Sequence, residues 1–269
     1  MNDLVFSLRN IGKSRPGADG FCLHIANLDV ARGSLQALVG PSGCGKSTAL
    51  DLLAGILRPD LDIQETPSAI AQRFLFSPVH HEGIDVLQTW RRGGLNALAR
   101  QRQRHLGYVQ QTGGLLPFLT ARDNIALRCS SLGCLDEQRQ QMQNIVDGLG
   151  IGRLLEQYPA TLSVGERQRV AIAAALAHAP EMVLADEPTA ALDPMHARNA
   201  LRIFANLAQK MGITVLMVTH SLEMAVEAGF SPIQVTIDQS GPSSISRIDH
   251  SIEQKPVAPA PHQQQGARA

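Results

Sequence analysis

The chain has 269 residues, 24 basic and 24 acidic side chains, and a hydrophobic share of 44%. That length suits one large domain or two small ones, with ample apolar content for a core. The charge balance gives no argument for nucleic acid or an acidic substrate. The start MNDLVFSLRN is too polar for a signal peptide, and no apolar run reaches the roughly 20 residues of a bilayer span.

If the protein acts at a membrane, another chain is therefore expected to do the crossing. Cys22, Cys44, Cys129 and Cys134 form no C-x-x-C pair and have no His partner at metal spacing. They are expected to be reduced thiols in a cytosolic protein.

In chain order, LVFSLRNI (4–11) and FCLHIANLDV (21–30) are expected as strands around a turn rich in Gly and Pro. SLQALV (34–39) is a short apolar run that stops at Gly40, and STALDLLAGIL (47–57) follows with helical spacing. Strand, glycine loop and helix make the first half of a β-α-β unit. Between 58 and 105 the pattern is weaker. RFLFSPV (73–79) is a candidate strand, and RRGGLNALARQRQRH (91–105) reads as a solvated, partly helical face with five arginines.

LGYVQ (106–110) is again strand-like, and Ala121 to about Tyr158 is expected to be helical, broken at Gly133 and at GLGIG (148–152). EMVLAD (181–186) and GITVLMVT (212–219) are apolar without alternation, as in strands buried on both faces of a parallel sheet. Helical stretches at 196–210 and 221–229 alternate with them, giving an α/β class. After about Gly241 the composition turns to Ser, Pro and Gln, and 241–269 is expected to be a disordered tail. There is no internal repeat.

GPSGCGKST (40–48) matches G-x-x-x-x-G-K-[ST] between the expected strand and helix. Glycines let the backbone wrap around phosphate, and the helix beginning near Lys46 adds its positive end. Candidate nucleotide-binding residues are Gly40, Pro41, Ser42, Gly43, Cys44, Gly45, Lys46, Ser47 and Thr48. Lys46 is expected to neutralise the β- and γ-phosphates, and Ser47 to ligate Mg²⁺.

MVLADEP (182–188) ends a buried strand in two carboxylates. Asp186 is the candidate metal ligand, and Glu187 the candidate base for the water that attacks the γ-phosphate. A guanine-reading N-K-x-D motif is absent from the sequence. His220, at the end of MVTHS (217–221), is either a structural strand-end residue or a donor to the γ-phosphate.

In LSVGERQRV (162–170), Ser163 and Glu166 form S-x-x-E, a capping box that needs no ligand. The helix is expected to run to about His178, where Pro180 stops it, and its Ala-rich body allows close approach to a neighbour.

Taken with the three motifs above, LSVGERQRVAIAAALAHAP resembles the signature segment of ATP-binding cassettes, over about residues 4–238. LGYVQQTGGLLPFLTARDNI is similar to that family's Q-loop region. This implies a catalytic and metal-binding role for Gln111. ALDP (191–194) resembles its D-loop, with Asp193 as the acid.

The resemblance implies a P-loop NTPase core with a mostly parallel sheet, an N-terminal antiparallel β subdomain and an inserted helical subdomain at about 112–180, all within 1–240. It also implies ATP and Mg²⁺ as cofactors, and two cassettes that meet head to tail. Ser163 and Gly165 of one copy then lie on the nucleotide held by the other. Val164 stands where Gly is usual, Glu166 where Gln is usual, and Ala175 where Arg is common. Arg15 stands near the usual adenine-stacking aromatic, and segment 60–82 is longer than usual.

The implied function is an ATPase subunit powering a separate integral membrane permease, peripheral on the inner face of the cell membrane, with no nucleic acid partner. LLPFLTARDNIAL is most similar to the lipoprotein-release and macrolide-export group. The alternatives are a non-transport cassette regulating a membrane partner in cell division, and one acting on DNA or ribosomes. A small-molecule kinase would leave the signature segment unexplained.

Overall fold

The N-terminus forms two long strands, β1 (Leu4–Ser14) and β2 (Cys22–Ala31), paired antiparallel. The structure, a computed structural model, describes residues 3–14, 21–60, 71–79, 83–238 and 244–252. The RFLF run forms β4 (Arg73–Phe76) beside β1, where Phe6 stacks on Phe76 at 4.6 Å between ring centroids. A short β5 (Ile84–Asp85) closes that edge.

The second half of the sheet is parallel. It consists of β3 (Leu35–Val39), β6 (Leu106–Val109), β7 (Met182–Asp186), β8 (Thr214–Thr219) and β9 (Ser231–Asp238). The full order is β5-β4-β1-β2-β10-β9-β3-β8-β7-β6, with β10 at Ile245–His250.

Alternate residues of the parallel strands enter opposite cores. Val183, Ala185, Val215 and Met217 belong to one apolar cluster, and Leu184, Leu216 and Val218 to the other. Burial on both faces is why these strands lack alternation in sequence. Helix α1 (Lys46–Leu53) covers one face. The other face receives α4 (Ala121–Leu132), α5 (Arg139–Leu149), α6 (Val164–Leu176) and α7 (Pro194–Lys210). The Ala-rich face of α6 lies close on β6: a Cβ at Gly107 would stand 2.3 Å from the Ala175 carbonyl oxygen.

Several expectations change. The helix expected over 47–57 ends at Leu53, with Gly55 in the left-handed region. The region 91–105 is largely solvated as expected, with Arg91, Arg92, Arg100 and Arg104 exposed. Its helix α3 (Leu95–His105), preceded by α2 (Val86–Arg91), turns Arg102 onto the carbonyls of Ala54 and Gly55 at the end of α1. His105 is buried against Glu181. Between 121 and 158 only α4 and α5 are α-helical; the rest includes a 3-10 turn at Gly152–Leu154. Helix α6 stops at Leu176, before the expected His178.

Within the stretch expected as a disordered tail, β10 inserts between β2 and β9. Its Ser246 and Ile248 are fully buried, so two flanking strands supply the order that its composition does not. Strand β9 has no counterpart in the sequence reading because it is mostly exposed and carries Pro232. Arg15, residues 61–70 and 80–82 of the long segment, and residues 253–269 lie outside the described residues.

Candidate functional site

Since β3, β8, β7 and β6 run parallel, their C-terminal ends reach one edge, with Val39 opposite Thr219, Asp186 opposite Val218, and Val109 opposite Ala185. The residues that follow these ends are Gly40, His220, Glu187 and the Gln110–Gln111 turn. A doubly covered parallel sheet gathers its ligands at such an edge.

Gly45 precedes α1 with φ +83°, and a Cβ there would stand 2.7 Å from the Phe21 ring. Only glycine fits that turn. No side chain caps α1, which leaves its first amides available to an anion. Lys46 is buried and lies back along the loop, donating from Nζ to the carbonyls of Gly40 at 2.9 Å and Pro41 at 2.8 Å. Cys44 is buried beneath it, whereas Pro41, Ser42, Gly43 and Ser47 are exposed.

Ser47 Oγ donates to Asp186 Oδ1 at 3.0 Å, tying the loop helix to the end of β7. Burial pushes the Asp186 carboxyl above its usual range. The Ser47 hydrogen bond and Lys46 oppose this, while the charges of Glu187 and Asp51 add to it. A hydroxyl and a crowded carboxylate are hard oxygen donors, which fits Mg²⁺.

Glu187 has φ +44°, rare for a residue with a side chain. Its amide donates to the Val218 carbonyl at 3.1 Å, and its carbonyl accepts from Ala190 at 3.1 Å, so both neighbours fix the turn. His220 Nδ1 stands 3.6 Å from Glu187 Oε2. Gln111 is exposed in the turn after β6.

The remaining candidates line a hollow of their own. Ser163 caps α6 by accepting from the Glu166 amide, and Glu166 Oε2 accepts from the Ser163 amide at 3.0 Å. Two hydrogen bonds from Ser163, then Arg153, hold the Glu166 carboxyl below its usual range. Glu166 is thereby committed to the cap. Asp193 caps α7 in the same way, accepting from the His196 amide at 3.2 Å and lying 2.6 Å from His196 Nδ1. Those hydrogen bonds lower its pKa. Ser163, Val164, Gly165, Leu192 and Asp193 line one hollow of about 350 Å³ that contains no residue of the 40–48 loop.

Val164 opens α6 at negative φ, and it is exposed. The position therefore makes no demand that only glycine meets.

The sequence reading missed one pair beside the site. Tyr108 Oη donates to Asp51 Oδ1 at 3.2 Å. The available signal was Asp51 itself, one helical turn after Ser47 on the same face.

The ABC transporter family model matches residues 23–190. The chain is 34% identical over 228 residues to the lipoprotein-releasing system ATP-binding protein LolD of Idiomarina loihiensis, covering 84% of this chain and 92% of that one. It is 35% identical over 221 residues to the methionine import ATP-binding protein MetN 2 of Burkholderia mallei, covering 81% of this chain and 51% of that one. The chain thus spans about half the length of the latter relative. Release and import proteins match at nearly the same identity. Among solved structures, the ATP-binding cassette MJ0796, a dimer in a post-hydrolysis state bound to ADP and Pi, superposes with a TM-score of 0.67 at 27% identity. That match covers 85% of this chain and 93% of the other.

Proposed function

The chain belongs to the ABC transporter family of ATP-binding cassettes, and from that premise we propose that it hydrolyses ATP to power a separate membrane permease through a head-to-tail dimer of two copies. The observation that carries this reading is the separation of two half-sites. The 40–48 loop, Asp186, Glu187 and His220 lie at the sheet edge, and the hollow of Ser163, Gly165 and Asp193 is lined without any of them. A second copy turned about a two-fold axis supplies each half with its complement.

In this reading the amides of 43–48 and Lys46 take the β- and γ-phosphates. Ser47, Asp186 and Gln111 would hold Mg²⁺, which would supply positive charge to neutralise the phosphates. Among the described residues no group of three or more His, Cys, Asp or Glu forms a metal cage. Glu187 accepts the proton of the attacking water, and His220 donates a hydrogen bond to the γ-phosphate. The exposed first amides of α6, with Ser163 and Gly165, meet that phosphate from the partner copy. Asp193 fixes the start of α7 beside them.

Among the described residues no helix is long and apolar enough to cross a membrane. We place the chain on the inner face of the cell membrane, against its permease. The balanced charge lends no support to a nucleic acid partner.

The test is concentration dependence. ATPase activity per mole of chain should rise in proportion to protein concentration well below the dimer dissociation constant and level off above it. Constant specific activity from nanomolar to micromolar protein would refute the shared site.

Val164→Gly separates the two roles of the signature segment. It should cost up to about 1 kcal/mol of stability through backbone entropy and leave ATPase activity within about twofold of the parent. Thermal melts and steady-state assays check both. A tenfold activity gain would show that the valine obstructs the partner's nucleotide.

A further inference from the structure

Charge is placed unevenly on a chain whose total balances. From Val86 to Arg122 the sequence holds six arginines and no acidic residue. The structure sorts these arginines into two groups. Arg102 bonds to the carbonyls at the end of α1, and Arg122 pairs with Glu156 at 2.6 Å. Arg91, Arg92, Arg100 and Arg104 are exposed, and among the described residues none of the four pairs with a carboxylate. The acids on either side in sequence are committed elsewhere. Asp85 caps the opposite end of α2, accepting from the Gln88 amide at 2.9 Å, and Asp123 accepts from Thr120 Oγ1 at 2.7 Å.

The four arginines lie along one hairpin. Helix α2 ends at Arg91, Gly93 turns the chain at φ +70°, and α3 starts at Leu95. The Gly94 amide closes the turn on the Thr89 carbonyl at 2.9 Å. Arg91 and Arg92 stand at its tip beside Leu95, which is 58% exposed. Arg100 and Arg104 are four apart and share a face of α3, whose buried side carries Leu98 and His105. Like charges at that spacing oppose helix formation, so folding gains nothing from them.

This surface fits a bilayer. Guanidinium groups bind phosphate oxygens through paired N–H donors. An anionic leaflet spreads phosphate charge over a plane, attracts clustered arginines and takes an apolar side chain at the headgroup boundary. A nucleic acid would make no use of Leu95. It would also lack a stacking platform, because Trp90, the hairpin's one large aromatic ring, is buried.

We propose that the α2–α3 hairpin is a membrane-contact surface, on which Arg91, Arg92, Arg100 and Arg104 engage the headgroups of anionic phospholipids and Leu95 enters the headgroup boundary. The contact uses no residue of the 40–48 loop or of the Ser163 hollow. It goes beyond the ATPase reading and stands or falls apart from it.

The experiment is cosedimentation of the full chain with vesicles, without nucleotide or permease. Vesicles of equal parts phosphatidylglycerol and phosphatidylcholine should carry the chain down, and phosphatidylcholine vesicles should not. Raising salt from about 0.02 M to about 0.3 M should release it. Changing Arg91, Arg92, Arg100 and Arg104 together to Gln should weaken binding to the anionic vesicles about a hundredfold. The melting temperature and the ATPase activity in solution should stay unchanged. The control changes Arg139, Arg198, Arg202 and Lys210, all exposed, to Gln. It removes the same charge and should bind at least about tenfold more tightly than the hairpin variant. Leu95→Ser removes no charge and should weaken binding about threefold or more.

No binding of the parent chain to anionic vesicles at low salt overturns the inference. Equal loss in the two four-charge variants, or an unweakened Leu95→Ser, does the same. A single-stranded RNA oligonucleotide that strips the chain from the vesicles at equal phosphate concentration also overturns it, and makes the surface a nucleic-acid site.

Discussion

Glu187→Gln should bind ATP as tightly as the parent, turn over about a thousandfold more slowly, and accumulate as an ATP-bound dimer. The side chains are nearly isosteric, and the backbone at φ +44° is fixed by main-chain bonds to Val218 and Ala190 that the substitution leaves alone. The loop and Lys46, to which the proposal assigns binding, are untouched. What is lost is the carboxylate that accepts a proton from water; an amide oxygen is too weak a base for that step. His220, 3.6 Å away, also loses its charged neighbour. Single-turnover hydrolysis and light scattering with ATP present are the measurements. Hydrolysis near the parental rate would remove Glu187 from the mechanism.

Ser163→Arg should lower hydrolysis by about a hundredfold or more while each monomer still binds ATP, because no residue of the 40–48 loop lines the hollow around Ser163. Ser163→Ala is the control. It loses the same cap, at about 1 kcal/mol, without placing a long cation in the hollow.

Equal loss of activity in both variants would leave only the capping role. Mixing gives a sharper result. Ser163→Arg retains a sound nucleotide loop, and Lys46→Ala retains a sound signature segment. A one-to-one mixture of these two inactive chains should recover about a quarter of the parental sites, since half of the dimers are mixed and each holds one intact site. No recovery would refute sites shared between copies.

Most of the candidate site was legible because each part is a local pattern. The phosphate loop, the ADE run after a buried strand, and S-x-x-E are set by residues within a few positions of one another. Their caps and turns appear where those residues predict. The buried strands were legible for the same reason, since apolar runs without alternation need cover on both sides. Where burial is partial, the pattern fades. Strand β9 is mostly exposed, and β10 is ordered by the strands on either side of it, so neither was readable in advance.

The sequence by itself therefore supplied the candidates: a G-x-x-x-x-G-K-S loop, two carboxylates after a buried strand, and a capped helix start. Only the tertiary structure decided which of these meet. Ser47 reaches Asp186 across 139 positions and Tyr108 reaches Asp51 across 57. Such distances are closed by strand order and register, which depend on many weak packing choices summed over the sheet. The same packing turned Ser163 and Asp193 onto a hollow of their own. It also set Glu187 at positive φ, a conformation that side-chain propensity opposes and that the neighbouring strand holds in place.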